Sequence, residues 1–504
     1  MSLISITFVV FFITTSAIYL NLPQRFQNPF LLLSSFVFYA FSAPSYLMVL
    51  VATIILNFYA AILLERTNKQ RTKKFLLVVS IITNLLILVF FKYYNFFGES
   101  VRPLVEALGL NFTKSNWAAP LGISYYTLMI IGYFIDIYRG EVESQKGFDG
   151  FFVFALYVSF FPQILAGPIN RAKKMIPQFL VRHTFNYGRA VEGMQRILVG
   201  ALKKIVLGDG IGVITNVVFS NLGSSENGYY GPILIISQGL FVIRMFADFS
   251  GYSDIAVGTA KILGIEMMEN FNAPYFSLSF GEFWRRWHIS LASWFRDYLY
   301  IPLGGNRKGK IKKYFNVMVV YFVCGLWHEP SWNFVLWGIS LGLIVVLEDC
   351  LSRKNSQPVL LSGIKDKITK TLKRFYTAAC FYITLLFAST KDINDFIYFM
   401  KNCFRNIRTD VFKNQLLDLS SNKISISKLY MVIFWGGLVL SLIIVFCFEY
   451  KIYKSGNAGC IDYNPISSVK KRSRWGLYFV MGLIIFFFIL ITGSSESAPI
   501  YQGF

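Results

Sequence analysis

The stretch YLMVLVATIILNFYAAILLERTNKQRTKKFLLVVSIITNLLILVFF (Tyr46–Phe91) decides the architecture. Two apolar runs, Tyr46–Leu64 and Phe75–Phe91, flank a short segment, Glu65–Lys74, that holds five basic residues and one acidic one. Each run approaches the roughly 20 residues that a helix needs to cross the hydrocarbon core of a bilayer. Runs of the same kind recur along all 504 residues. Charged residues make up 15% of the chain, against roughly 25% in soluble domains. Aromatics reach 18%, and Phe alone occurs 51 times. No soluble interior holds that much Phe, so lipid is the solvent for most side chains. The reading is an all-α, polytopic membrane protein, with residues 1–504 forming a single membrane-embedded domain.

Further spans are expected at Leu3–Leu20, Phe30–Phe41, Leu121–Ile137, Phe151–Leu165, Ile233–Phe246, Tyr314–Cys324, Trp332–Leu347, Thr377–Phe387, Tyr430–Phe448 and Gly476–Thr492, with a broken region over Val191–Val218. Several are too short to cross alone and suit tilted or re-entrant segments, so about 10–12 transmembrane helices are expected, with re-entrant and interfacial helices beside them. The basic segments Glu65–Lys74 and Lys451–Arg474 belong on the cytoplasmic side by the positive-inside rule. One further crossing then puts the tail, residues 493–504, outside the cell. The polar stretches Ser352–Arg374 and Lys391–Lys428 suit loops or interfacial helices.

The net charge of +22 is spread between the apolar runs and forms no nucleic-acid module, so it suits an anionic lipid surface. The N-terminus lacks a basic leader and a cleavage site, and reads as a retained first span. The six cysteines make no C-x-x-C pair, and no zinc, P-loop or nucleophile-elbow pattern occurs. Neither a metal site nor a permanently bound cofactor is expected.

Polar chemistry concentrates between Phe246 and Gly338. Two of the three histidines lie there, His288 in FWRRWHIS (Phe283–Ser290) and His328 in CGLWHEPSWNFVLWG (Cys324–Gly338). His328 precedes Glu329 and Pro330 and is ringed by Trp327, Trp332 and Trp337. A proline there stops the helix, a geometry suited to lining a tunnel. A neutral imidazole so placed can take a proton from a hydroxyl and return it to a leaving group, and a histidine satisfied by a carbonyl is the plainer alternative. Around His288 stand Arg285, Arg286, Arg296 and Arg307, able to grip donor phosphates or to face lipid headgroups as part of an interfacial helix. Asp248 and Asp254 in FADFSGYSDIA (Phe246–Ala256) support the cavity or pack between helices. LAGPINR (Leu165–Arg171) reads as an ordinary helix stop, and His183 as a loop or surface residue.

FWRRWHISLASWFRDYLYIPLGGNR (Phe283–Arg307), followed by GLWHEPSWNFVLWG (Gly325–Gly338), closely resembles the membrane-bound O-acyltransferase superfamily, in its bacterial branch of alginate and peptidoglycan O-acetylases. The similarity extends to Leu121–Gly140, Phe160–Arg171 and Phe246–Ile265, so residues 115–340 form the motif-bearing core. The resemblance implies a helical bundle with a central tunnel joining a cytoplasmic donor to an outside acceptor. It implies a catalytic role for His328 and a second important position at His288. Glu329 and Pro330 stand where the family commonly has a glycine after the histidine. The chain ends P-I-Y-Q-G-F, similar to the branch's aromatic tail motif, which makes Tyr501 the match of a tyrosine implicated as an acyl relay.

The expected function is O-acyl transfer across a bacterial cytoplasmic membrane. Acetyl-CoA serves as donor, an SGNH-like acyltransferase outside the membrane as partner, and a cell-envelope polysaccharide as acceptor. No nucleic acid takes part. D-Alanyl transfer to teichoic acid is the rival within the enzyme class. A transporter and a non-catalytic scaffold are the rivals outside it, although a transporter should show repeat symmetry and none is visible.

Overall fold

The computed structural model describes residues 2–222, 228–352, 364–418, 428–455, 466 and 469–492. Helices dominate them, and six are long and apolar enough to cross a membrane: Pro44–Arg66, Gln70–Ala107, Pro232–Leu263, Trp332–Leu351, Val432–Lys454 and Lys471–Ile491. Ile6–Asn21 and Gly147–Ser159 are shorter helices of the same apolar character. The protein is a multi-pass, all-α membrane protein. Its chain divides into two compact units, one of residues 1–194 and 256–268, the other of residues 195–255 and 269–504.

In the first unit the helix Ile123–Arg139 is buried almost throughout, with Ser124, Thr127 and Asp136 buried among its apolar residues. Its neighbours Gln70–Leu88 and Pro44–Arg66 turn many large apolar side chains outward, Met48, Leu63, Phe75 and Leu86 among them. That pattern is the reverse of a soluble protein and fits lipid. Some polar groups inside pair across helices. Asn57 and Asn84 exchange amide hydrogen bonds of 3.1 and 2.7 Å between helices.

LAGPINR is more than a helix stop. Ala166–Asn170 are buried, and Asn170 donates to Gln163 Oε1 at 2.8 Å while its own Oδ1 accepts the Met268 N–H at 2.8 Å. His183 lies in a loop, as expected, yet it is buried rather than at the surface. Its Nε2 is 2.7 Å from the Gln178 carbonyl, and its N–H donates to Gln27 Oε1 at 3.0 Å.

The second unit is built on two features. One is a hairpin of the helices Gly309–His328 and Trp332–Ser352, packed along their lengths. The other is a layer of buried charge. The region read as broken, Val191–Val218, is a continuous helical run in which a wide π turn, Leu202–Asp209, joins Tyr187–Ala201 to Gly210–Ser220. Within that turn Lys204 Nζ meets Asp248 at 2.5 Å and Asp209 at 2.7 Å, and Lys203 Nζ meets Asp254 at 3.0 Å and Glu449 at 3.2 Å. Arg196 pairs with Asp254 at 3.0 Å and also with Glu269. Gly200 and Gly251 let the backbones close in there, since a Cβ on Gly200 would lie 2.6 Å from the Gly251 carbonyl. Charge at this depth is retained only when paired, and here every aspartate of FADFSGYSDIA has a cation.

The polar stretches read as loops or interfacial helices contain helices. Ile364–Thr384, Ile393–Asn402 and Thr409–Asp418 run through them, and the first shows apolar residues such as Phe375 outward beside its lysines, as an interfacial helix does.

Candidate active site

Local backbone chemistry sets the position of His288. The helix Phe280–Arg286 starts with Ser279, whose Oγ accepts the Glu282 N–H at 3.0 Å. The Glu348 carboxylate, reaching from Trp332–Ser352, accepts the next two free donors, Phe280 N–H at 2.8 Å and Gly281 N–H at 2.9 Å. The helix stops at Trp287, and His288 takes φ 44° and ψ 52°, left-handed values that are uncommon outside glycine. A short antiparallel clamp holds it there. Asn272 N–H donates to the Arg286 carbonyl and Ile289 N–H to the Asn270 carbonyl, both at 3.0 Å, while Ser290 Oγ donates to Asn270 Oδ1 at 2.6 Å. A backbone held this way on both sides is the usual mark of a site that fixes one ring direction.

His328 is the last residue of its helix. Glu329 is extended and Pro330 cannot continue the turn, so the helix ends at the histidine. The following helix returns so closely that a Cβ on Gly325 would stand 2.2 Å from the Phe334 carbonyl, and one on Gly338 would stand 2.3 Å from the Tyr321 carbonyl. The rings of Trp327 and Trp337 each lie 5.1 Å from the His328 ring, edge-on. The two imidazoles are 6.1 Å apart, centre to centre, and Phe249 lies edge-on to His288 at 4.6 Å. Both histidines are buried.

They share the wall of a cavity of about 220 Å³. Val317, Val320, Tyr321, Cys324 and His328 contribute one stripe of the Gly309–His328 helix, at the three- and four-residue spacing of a single helical face. Trp284, Leu291 and Phe295 add apolar wall, and Arg296 with Tyr300 supplies polar groups. Apolar surroundings of this kind strengthen the electrostatic effects that act on an imidazole.

The structure brings His288, His328 and Arg296 to one cavity. The other predicted cations are placed differently. Arg286 donates to Glu282 Oε1 at 2.9 Å and to the Asn272 carbonyl at 3.1 Å, while Arg285 and Arg307 are exposed. Arg296 is itself exposed and donates to Asp297 at 2.8 Å. Asp248 and Asp254 belong to the charge layer and not to the cavity wall. Tyr501 lies outside the described residues. Sequence reasoning missed Glu348 and Asn270, which hold the His288 segment; only the S-x-x-E pattern of Ser279 and Glu282 hinted at this helix start.

A family model described as membrane-bound O-acyltransferase matches residues 143–377, which contain every residue of the cavity wall. The chain belongs to the membrane-bound O-acyltransferase family. Within that family it is 34% identical to a probable alginate O-acetylase, AlgI, of Pseudomonas aeruginosa, over 69% of this chain and 65% of that one. It is 28% identical to a peptidoglycan O-acetyltransferase of Helicobacter pylori over 100% of this chain and 99% of that one. A teichoic acid D-alanyltransferase of Streptococcus thermophilus is 27% identical over 51% of this chain. The match to the alginate O-acetylases thus spans just under two thirds of their length.

Proposed function

We propose that this protein is an O-acyltransferase that moves an acetyl group from cytoplasmic acetyl-CoA across a bacterial cytoplasmic membrane, for O-acetylation of a cell-envelope polysaccharide such as peptidoglycan or alginate. The observation that carries the reading is the pair His288 and His328, 6.1 Å apart in one apolar cavity with Arg296 at its wall. His328 acts as general base on the attacking hydroxyl, and a thioester is reactive enough for a positioned base to suffice. Arg285, Arg286, Arg296 and Arg307 are the donor-side cations, with Arg296 the one that reaches the cavity. Tyr501 is the acyl relay, and an SGNH-like acyltransferase outside the membrane completes delivery to the polymer. No resident cofactor is needed beyond the acyl donor. The end-to-end alignment with a peptidoglycan O-acetyltransferase supports an acetyl donor over D-alanine, whose transferase aligns over only 51% of the chain.

The test is the intact mass of purified protein after brief incubation with acetyl-CoA. Wild type is expected to gain one acetyl group, with the adduct lost in both His328→Ala and Tyr501→Phe. Thioester consumption without an adduct, still dependent on His328, removes the relay and keeps the transferase. Consumption that persists in His328→Ala refutes the mechanism.

A further inference from the structure

Beside the two histidines stand two hydrogen-bond donors with no acceptor among the described residues, the indole Nε1 groups of Trp284 and Trp337. Both rings are buried, at 9% and 3% exposure. Trp284 lines the cavity, and Trp337 lies edge-on to His328 at 5.1 Å and 6.1 Å from Trp284. A buried indole N–H ordinarily finds a partner, and one left unmet is costly. Phenylalanine would supply the same apolar wall without that cost. Two unmet donors on adjoining rings, one in the cavity wall and the other against His328, are therefore not explained by packing.

We propose that the Trp284 and Trp337 N–H groups hold the carbonyl oxygen of the acyl thioester and its oxyanion. The inference rests on the reading that this cavity takes a thioester donor. The acceptor hydroxyl oxygen bonds to the thioester carbonyl carbon, and its proton passes to a nitrogen of His328. The carbonyl electron pair moves onto oxygen, and this oxyanion accepts from the two indole N–H groups. When the carbonyl re-forms, the C–S bond breaks, and the leaving sulfur takes the proton from His328 and departs as the thiol. Donors aimed at the oxygen act more strongly among apolar groups, which these walls supply, than in water.

The experiment compares two unreactive analogues, S-acetonyl-CoA and S-propyl-CoA, which differ by one carbonyl. Wild type is expected to bind the ketone about 10-fold more tightly. Ultraviolet resonance Raman is expected to show an indole N–H band that shifts with the ketone alone. In Trp284→Phe/Trp337→Phe the preference disappears, and kcat with acetyl-CoA falls roughly 100-fold or more while KM changes little. Equal binding of both analogues to wild type, with no indole shift and with acetyl-CoA still consumed, overturns this inference and leaves the transferase reading intact. Failure to bind either analogue or to consume acetyl-CoA overturns both. If the double variant does not fold, the wild-type comparison decides alone.

Discussion

At His288 the chain accepts a left-handed backbone that costs of the order of 1 kcal/mol, and Asn270 is the residue that holds it. Asn270→Ala keeps the main-chain clamp but frees Ser290 from its 2.6 Å bond. Turnover is expected to fall roughly 10- to 100-fold through misplacement of the ring, with the helical circular dichroism unchanged. His183 gives a second residue-scale prediction. Burial is the main cause that holds its imidazole below the ordinary value, and the nearby Arg189 guanidinium acts in the same direction against the Gln178 carbonyl. A histidine kept neutral in the folded protein contributes stability that is complete above the unfolded value of about 6.5 and is lost as pH falls through the depressed folded one. The melting temperature is therefore expected to drop more between pH 7.5 and 5.5 in wild type than in His183→Gln, which can still donate to the Gln178 carbonyl. His288 and His328 were legible in the sequence because ionisable groups in apolar surroundings are conspicuous. Asn270 and Glu348 were not, since an amide or a carboxylate near a span end looks the same whether it caps a distant helix or faces water.

Helices were legible wherever apolar runs were long, and misread where a run changed geometry. Val191–Val218 looked broken because Lys203, Lys204 and Asp209 interrupt it; apart from the Lys204–Asp209 pair inside the turn, the partners Asp248, Asp254 and Glu449 lie on helices remote in sequence, so no local pattern reveals those pairings. Lys204 and Asp248 side chains are each 2% exposed. Lys204→Met leaves two aspartates without their shared cation and is expected to destabilise the protein by about 3–5 kcal/mol. Adding Asp248→Leu is expected to restore part of that loss, because it removes the more deeply buried of the two carboxylates that share Lys204. Thermal unfolding in detergent checks both variants. A double variant no better than the single one would show that the layer does more than neutralise itself.

Across the whole molecule, the outward apolar faces make lipid the surrounding medium, and the loop between Pro44–Arg66 and Gln70–Ala107 tests its orientation. With the native cysteines replaced by serine, Asn68→Cys is expected to resist a membrane-impermeant maleimide in intact cells and to react after permeabilisation. Labelling of intact cells would reverse the topology drawn from Glu65–Lys74. Spans could be read from composition alone, whereas the division into two compact units could not, because it depends on which distant helices meet.

The wide π turns Val89–Tyr93, Leu202–Asp209 and Arg296–Tyr300 carry one further consequence, in the terms of inheritance. An α-helix advances about 100° per residue, so losing one codon inside a regular span swings every later side chain off its face. A π turn already holds an extra residue, and losing one there tightens it to an ordinary turn while both flanks keep their faces. Leu202–Asp209 holds the paired lysines and Arg296–Tyr300 holds part of the cavity wall, so Val89–Tyr93 is the turn of the three where the gene can lose a codon and still leave a lineage with a folded protein.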